Sequence, residues 1–576
     1  MGSDGMSRRA FVGRSGAVLA GSAALAAVPR GEAAAAVGRG GAAAGGGQAF
    51  VDIHRAPDLV RVLTDSTALT LTRNTDDRWS ASGCEVTTAV DSRGVQVTLA
   101  APSQRVTRIQ LRWQGAAPSG VWYLGDAWER AYGDLTWAEL TPIRAMPWYF
   151  IVSDGQQSNC YGVLTGPAAF CFWQVDSAGL SLWADVRSGG VPVELGSRLL
   201  EVCTAVTRSS GGADPFDTLH AFCQQMCPGP RLPAMPIYGH NDWDFYYGHQ
   251  TAQSTLDVTR TVVSLSPTGP DRPFIVIDDG WEGDSTTTGP ITRGPWDHGN
   301  GKFPDMPGLA SQIKELGARP GLWIRPTSAW DGLPDSWRLA NRSSVLDPTV
   351  PDAEQQISTD IARLRTWGYE LVKHDFTSFD IMGRWGFDMG STLTDDGWTF
   401  REGAKRTTAE VILQLYKTIR TAAGDMTVLG CNTFSHLAAG VFEAMRIGDD
   451  TSGTDWQRTW KMGVNCLAFR SAQNGAFYAA DPDIAPITKG LPWELSREWL
   501  DLVGLSGAVL FTAIDPSVFG PDQQSALRTA FADATRSDRR LAQPVDWMDT
   551  IVPTEWRLDG GQKRFDWFPP EGASPF

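Results

Sequence analysis

The chain has 576 residues, of which 42% are hydrophobic and 20% charged, with a formal net charge of −15 and a sequence pI of about 5.0. This composition excludes an intrinsically disordered chain, and the length allows two or three domains, each burying a core of its own. The negative field repels nucleic acid and anionic membrane surfaces, so no nucleic acid and no membrane partner is expected, and a neutral or cationic substrate fits better.

Met6-Ser7-Arg8-Arg9-Ala10-Phe11-Val12 is followed by an uncharged apolar stretch from Gly16 to Val28 and by Ala- and Gly-rich sequence up to Gly47. Paired arginines before a short apolar run and small residues fit a twin-arginine export signal, and the run is too short to span a bilayer. Residues 1–48 are therefore expected to be a signal peptide and linker, and the protein to be secreted.

From about Phe50 to Arg208, short alternating runs such as Val95–Ala100 and Trp148–Ser153 are broken by Gly, Ser and Asp. Regularly spaced short strands without a helical period predict a β-sandwich over residues 49–228, with Cys223 to Met235 as the junction. Flat indole faces suit sugar rings, and the chain carries 24 Trp; packing of large cores accounts for most of them.

After Pro236 the rhythm changes. Apolar runs at Pro273–Asp279, Pro320–Arg325, Glu370–Asp375, Thr427–Cys431 and Glu443–Asp450 alternate with helical stretches at Met306–Leu316, Asp352–Trp367 and Gly403–Ala422. The alternation predicts an α/β fold, a (β/α)8 TIM barrel over residues 229–543. A doubly wound sheet is the alternative, and no strand is followed by the GxGxxG turn it would use. Beyond Pro544 the runs Glu555–Leu558 and Phe565–Phe568 predict a short β segment over 544–576.

Active sites of parallel barrels lie at the C-terminal ends of the strands, and several of these runs end in acids: Asp278 and Asp279, Lys373 and Asp375, Asp449 and Asp450, Asp481 and Asp483. A period of two puts Lys373 and Asp375 on one face and His374 on the other. A lysine beside an aspartate holds that carboxylate ionised, as a nucleophile requires. Arg446 lies four residues before Asp450, with Asp449 as a like-charge neighbour. Paired carboxylates without a nucleophile elbow or a metal cluster are what glycoside cleavage asks for, and no GxSxG, HExxH or Walker A pattern occurs in this segment. The eight cysteines include no CxxC, and Cys223 and Cys227 have no His pair at zinc-finger spacing; disulfide pairing is left open.

These motifs, in this order, resemble the α-galactosidase (melibiase) superfamily, glycoside hydrolase families 27 and 36. The resemblance runs through residues 235–520 and extends loosely to the preceding β region. Asp278-Asp279-Gly280-Trp281 is similar to the family's DDGW at the second strand, whose aspartates bind the 4- and 6-hydroxyls of galactose. Lys373-His374-Asp375 is similar to its KxD at the fourth strand, which implies Asp375 as nucleophile. Arg446-Ile-Gly-Asp-Asp450 resembles its Arg-x-x-x-Asp, which implies Asp450, rather than Asp449, as acid/base. The segment Cys431 to Ser435 corresponds to the loop facing the sugar's C2 substituent, and Trp243 stands where the family supplies an aromatic platform. The resemblance implies Asp278, Asp279, Trp243, Lys373, Cys431, Arg446 and Trp281 as substrate-binding residues, no metal and no cofactor. It implies a retaining, exo-acting hydrolase of carbohydrates with a terminal α-galactosyl group. Arg325 departs from the family, many members of which carry a carboxylate there. An α-N-acetylgalactosaminidase, a β-L-arabinopyranosidase and a non-catalytic sugar-binding relative remain open, as does oligomeric state.

Overall fold

The computed structural model describes residues 50–283, 294–538 and 540–572. The twin-arginine segment lies outside the described residues.

Residues 59–211 form two antiparallel sheets. In the first, Leu59–Thr64, Arg105–Gln114, Gly179–Asp185 and Phe170–Asp176 lie side by side. In the second, Cys84–Asp91, Gly94–Ala100, Leu200–Gly211, Gln157–Val163 and Tyr149–Ser153 do so. Strand alternation drives the layering: in Leu59–Thr64 every second side chain is buried, Val60 and Val62 completely. Rings from the two sheets meet, with Trp173 6.1 Å from both Phe150 and Tyr161. The expected junction is corrected in part, because Cys223 sits inside a helix, Pro215–Met226, capped by Asp214 and burying Phe216, Leu219 and Phe222.

Nine parallel strands then form one curled sheet. In chain order they are Tyr238–Asn241, Phe274–Ile277, Arg319–Ile324, Leu371–His374, Thr427–Gly430, Ala444–Arg446, Ala479–Asp481, Ile484–Ile487 and Leu510–Ile514. The two ends of the hydrogen-bonded path are the seventh and eighth strands, which the chain joins through Pro482 and Asp483 alone. Eight strands were expected, and the extra one arises because residues 479–487 are broken at Asp483, a non-glycine residue with φ of 74°. The first half pairs with the sixth strand and the second half with the ninth.

Alternation sorts the side chains of this sheet. Phe274, Val276, Leu371, Leu429, Ala444 and Phe511 pack together inside the curl, while Ile275, Ile277, Val372 and Met445 join the outer core against the helices. Gly321 keeps the interior open: a Cβ there would lie 2.9 Å from Val276 Cγ2 and 3.4 Å from Leu371 Cβ. The helices start where their caps dictate. Thr407 and Glu410 form a capping box, so the expected helix begins at Thr408 rather than Gly403.

A three-stranded sheet, Gln543–Pro544, Glu555–Leu558 and Gly561–Arg564, follows the last helix. The expected boundary after residue 543 thus cuts its first strand. Phe565 to Phe568 lie beyond the last strand; Phe565 and Trp567 stack at 5.3 Å, and Trp567 donates to Pro553 O at 2.6 Å.

Candidate active site

Within the curl, several residues that continue the inward alternation at the strand ends are charged. In the fourth strand Leu371 points inward, and Lys373 and Asp375 follow on that face; His374 points outward, 4.8 Å from the ring of Phe442 and 6.1 Å from that of Tyr416. Burial among those rings pushes His374 down to about 3, so it is neutral. In the second strand the same alternation carries inward from Phe274 and Val276 to Asp278. Lys373 Nζ pairs with Asp278 Oδ2 at 2.5 Å, and Asn241 donates to the same oxygen at 3.1 Å.

Asp375 is held from two sides. Trp323 Nε1 donates to its Oδ2 at 3.2 Å, and the N–H of Phe376 donates to its Oδ1 at 2.8 Å. Phe376 has φ of 66°, a left-handed conformation uncommon for an aromatic residue and costing of order 1 kcal/mol, which lets its N–H turn back onto the carboxylate.

Arg446, inward from Ala444, divides its guanidinium between Asp450 Oδ1 at 3.1 Å and Asp483 Oδ1 at 2.9 Å, and Nη1 lies 3.5 Å from Cys431 Sγ. Asp483 also accepts from the N–H of Thr451 at 2.7 Å, tying the broken strand to the residue after Asp450. Asp449 is pinned by Arg130 at 2.7 Å and Arg458 at 2.6 Å, and 2% of its side chain is exposed, against 10% for Asp450. Of the two, Asp450 is the more accessible.

Burial raises several neighbouring acids above the usual carboxylate range. Asp242 is raised by burial and by the charge of Asp278, and Asp244 by burial and Asp483. Glu282 is raised by burial and by Asp279, with which it shares a hydrogen bond. Burial, opposed by Arg446, leaves Asp481 at about 6. A pocket that gathers this many carboxyls around Lys373, Arg446, Arg130 and Arg458 can place negative charge beside a developing positive centre.

Trp243 is 4% exposed and caps the inner core, its ring 5.7 Å from Tyr247. Trp281 is fully buried in the sheet wall, where Nε1 donates to Trp323 O at 2.8 Å and the ring lies 6.0 Å from both Trp296 and Trp367. Arg325 forms an ion pair with Asp380 and lies 4.4 Å over the Phe376 ring, so it lines the side of the site next to the Asp375 loop.

Sequence reasoning missed a contribution from the first β unit. Arg130 reaches Asp449, Asp450 at 3.6 Å and Cys431 Sγ at 3.7 Å. Glu129 accepts from Ser378 Oγ, from Asn432 Nδ2 at 2.6 Å and from the N–H of Gly386 at 2.8 Å. Ser378, Asn432 and Cys431 lie 249, 303 and 301 residues further along the chain, and nothing local in the segment signals these contacts. Among the described residues no cluster of His, Cys, Asp or Glu could hold a metal ion, and the eight cysteines are buried and form no disulfide.

No family model matches the chain. A search of characterised proteins finds the alpha-galactosidase AgaA of Geobacillus stearothermophilus, 31% identical over 87 residues, a match that spans 15% of this chain and 11% of that protein. Among solved structures, the alpha-galactosidase TtGalA of Thermus thermophilus, in complex with p-nitrophenyl alpha-D-galactopyranoside, superposes with a TM-score of 0.56 at 16% identity, covering 88% of this chain and 99% of that one. A variant of the GH36 alpha-galactosidase AgaA, in complex with 1-deoxygalactonojirimycin, gives 0.54 at 15% identity over 87% of this chain and 77% of that one. The chain therefore has the fold of these solved alpha-galactosidases.

Proposed function

We propose that the chain is a retaining, exo-acting α-galactosidase. Asp375 attacks the anomeric carbon while Asp450 gives its proton to the leaving oxygen, so that the glycosidic C–O bond breaks as an ester to Asp375 forms. Asp450 then takes a proton from water, which adds to the anomeric carbon and releases Asp375 as a carboxylate. The observation that carries this reading is the pair of strand-end carboxylates, Asp375 held by two N–H donors and Asp450 beside Arg446, in a fold whose solved relatives include galactoside complexes. Two donors favour the ionised form a nucleophile needs. Lys373, Asp278 and Asp279 would bind ring hydroxyls.

A galactoside is favoured over an N-acetylgalactosaminide by the wall at Cys431, which is fully buried and carries two guanidinium groups against its sulfur. That wall suits a C2 hydroxyl. We also infer that the curled sheet is a closed (β/α)8 barrel with its seventh strand broken at Asp483, preceded by a β-sandwich; the adjacency in the chain of the two ends of the sheet supports closure.

The test is nitrophenol release from aryl α-galactoside, α-N-acetylgalactosaminide, β-L-arabinopyranoside and α-glucoside, by the mature protein and by Asp375→Asn. Turnover of the α-galactoside that falls by several orders of magnitude in the variant is expected. Equal inertness of both across the panel would overturn the reading.

A further inference from the structure

The segment that brings Arg130 to the site is built into it. Ala131 donates to Ile447 O at 2.9 Å and accepts from the N–H of Asp449 at 2.9 Å, so Ala131 forms a parallel bridge opposite Gly448. Glu129, completely buried, fastens the same segment to the loops after the fourth and fifth strands through Ser378, Gly386 and Asn432. The guanidinium of Arg130 lies 5.5 Å over the ring of Trp385 and 5.8 Å over that of Tyr132, which fixes its plane.

The charges that bear on Asp450 come from every neighbouring element. Arg446, from the sixth strand, is 3.1 Å away and shared with Asp483. Arg458, from the helix Trp456–Thr459, is spent on Asp449 at 2.6 Å and acts on Asp450 at longer range. Asp244, from the helix Trp243–Tyr246, opposes them as a like-charge neighbour. Asp449 stands next in the chain. Arg130 is 3.6 Å from Asp450 and 2.7 Å from Asp449, so it neutralises the adjacent carboxylate and adds a second close cation to the proposed acid/base.

We infer that Arg130, delivered from the first β unit, is a positioning residue for Asp450, orienting its carboxyl and favouring its ionised form. This rests on the reading of Asp450 as acid/base. An acid/base residue must start protonated and end ionised within one turnover, and a cation at 3.6 Å shifts that balance toward the ionised form. The first β unit thereby sets the upper pH at which the site works.

The experiment is the pH profile of kcat/KM for p-nitrophenyl α-galactoside, measured on the full chain for wild type, Arg130→Gln and Arg130→Lys, with folding checked by circular dichroism. The basic limb reports loss of the proton from the general acid in the free enzyme. In Arg130→Gln it is expected to move up by about one pH unit, because one of two close cations is gone. Arg130→Lys keeps the charge but cannot bridge Asp449 and Asp450 in one plane, so its limb stays in place while kcat falls roughly tenfold. A uniform loss in Arg130→Gln with an unmoved limb overturns the inference, as does wild-type kcat in Arg130→Lys, which keeps it falsifiable if the Gln variant does not fold. Failure of the underlying reading is seen separately, as a wild-type protein that does not turn over the galactoside.

Discussion

Lys373 and Asp278, 95 residues apart in the chain, meet as a completely buried ion pair at 2.5 Å between neighbouring inner faces of the sheet. Burial this deep makes the removal of either charge costly to the other. Lys373→Met leaves Asp278 buried without its cation, and a loss of about 3–5 kcal/mol is expected. Urea denaturation measures it, and adding Asp278→Asn should recover part of the loss, because the uncompensated charge is removed.

The indole of Trp323, on the third strand, donates directly to the carboxylate of Asp375. Trp323→Phe keeps the ring and removes the N–H. A hydrogen bond to a charged group is worth about 1.5–3 kcal/mol, so kcat on the aryl galactoside should fall roughly ten- to hundredfold with little change in KM. Unaltered kcat in steady-state assays would mean that this donor does not matter to the reacting carboxylate.

His374 is held neutral, at about 3, by burial. The unfolded chain takes up a proton at this position below about 6.5 and the folded protein does not, so stability is intact above 6.5 and is lost as pH falls toward 3. His374→Phe removes this term. Its unfolding free energy, measured between pH 6.5 and 4.5, should fall less steeply than that of wild type, by up to about 1.4 kcal/mol per pH unit. His240 and His436, held at about 3 and about 4, keep their own contributions in the variant.

Glu129 accepts hydrogen bonds at both carboxyl oxygens, from Tyr132 and Gly386 at one and from Ser378 and Asn432 at the other. Glu129→Gln matches it in shape but places an NH2 group against donors. A loss of about 1–3 kcal/mol is expected in a thermal or urea melt, together with reduced turnover, because the loops after the fourth and fifth strands lose a common anchor.

The inner face of the sheet was legible in the sequence because a strand's side chains alternate with a period of two whatever surrounds them. Leu371, Lys373 and Asp375 share a face for that reason, with His374 opposite, and the same logic aligns Ala444 with Arg446. The helix start at Met306 was legible from the helical pattern alone, whereas the start at Thr408, which the Thr407–Glu410 capping box sets, was overrun by the pattern from Gly403. What the tertiary structure alone decided is the partnership between distant segments. Trp281 follows two site aspartates in the chain, yet its indole is used up in the wall by Trp323, Trp296 and Trp367. Arg130 sits in an irregular stretch after the strand Trp122–Gly125, and a parallel bridge at Ala131 holds it beside Asp450. Local sequence sets which way a side chain points from its own strand, because backbone sterics act over a few residues. Which charges then share a buried space depends on chain closure over hundreds of residues, and only the packed fold determines it.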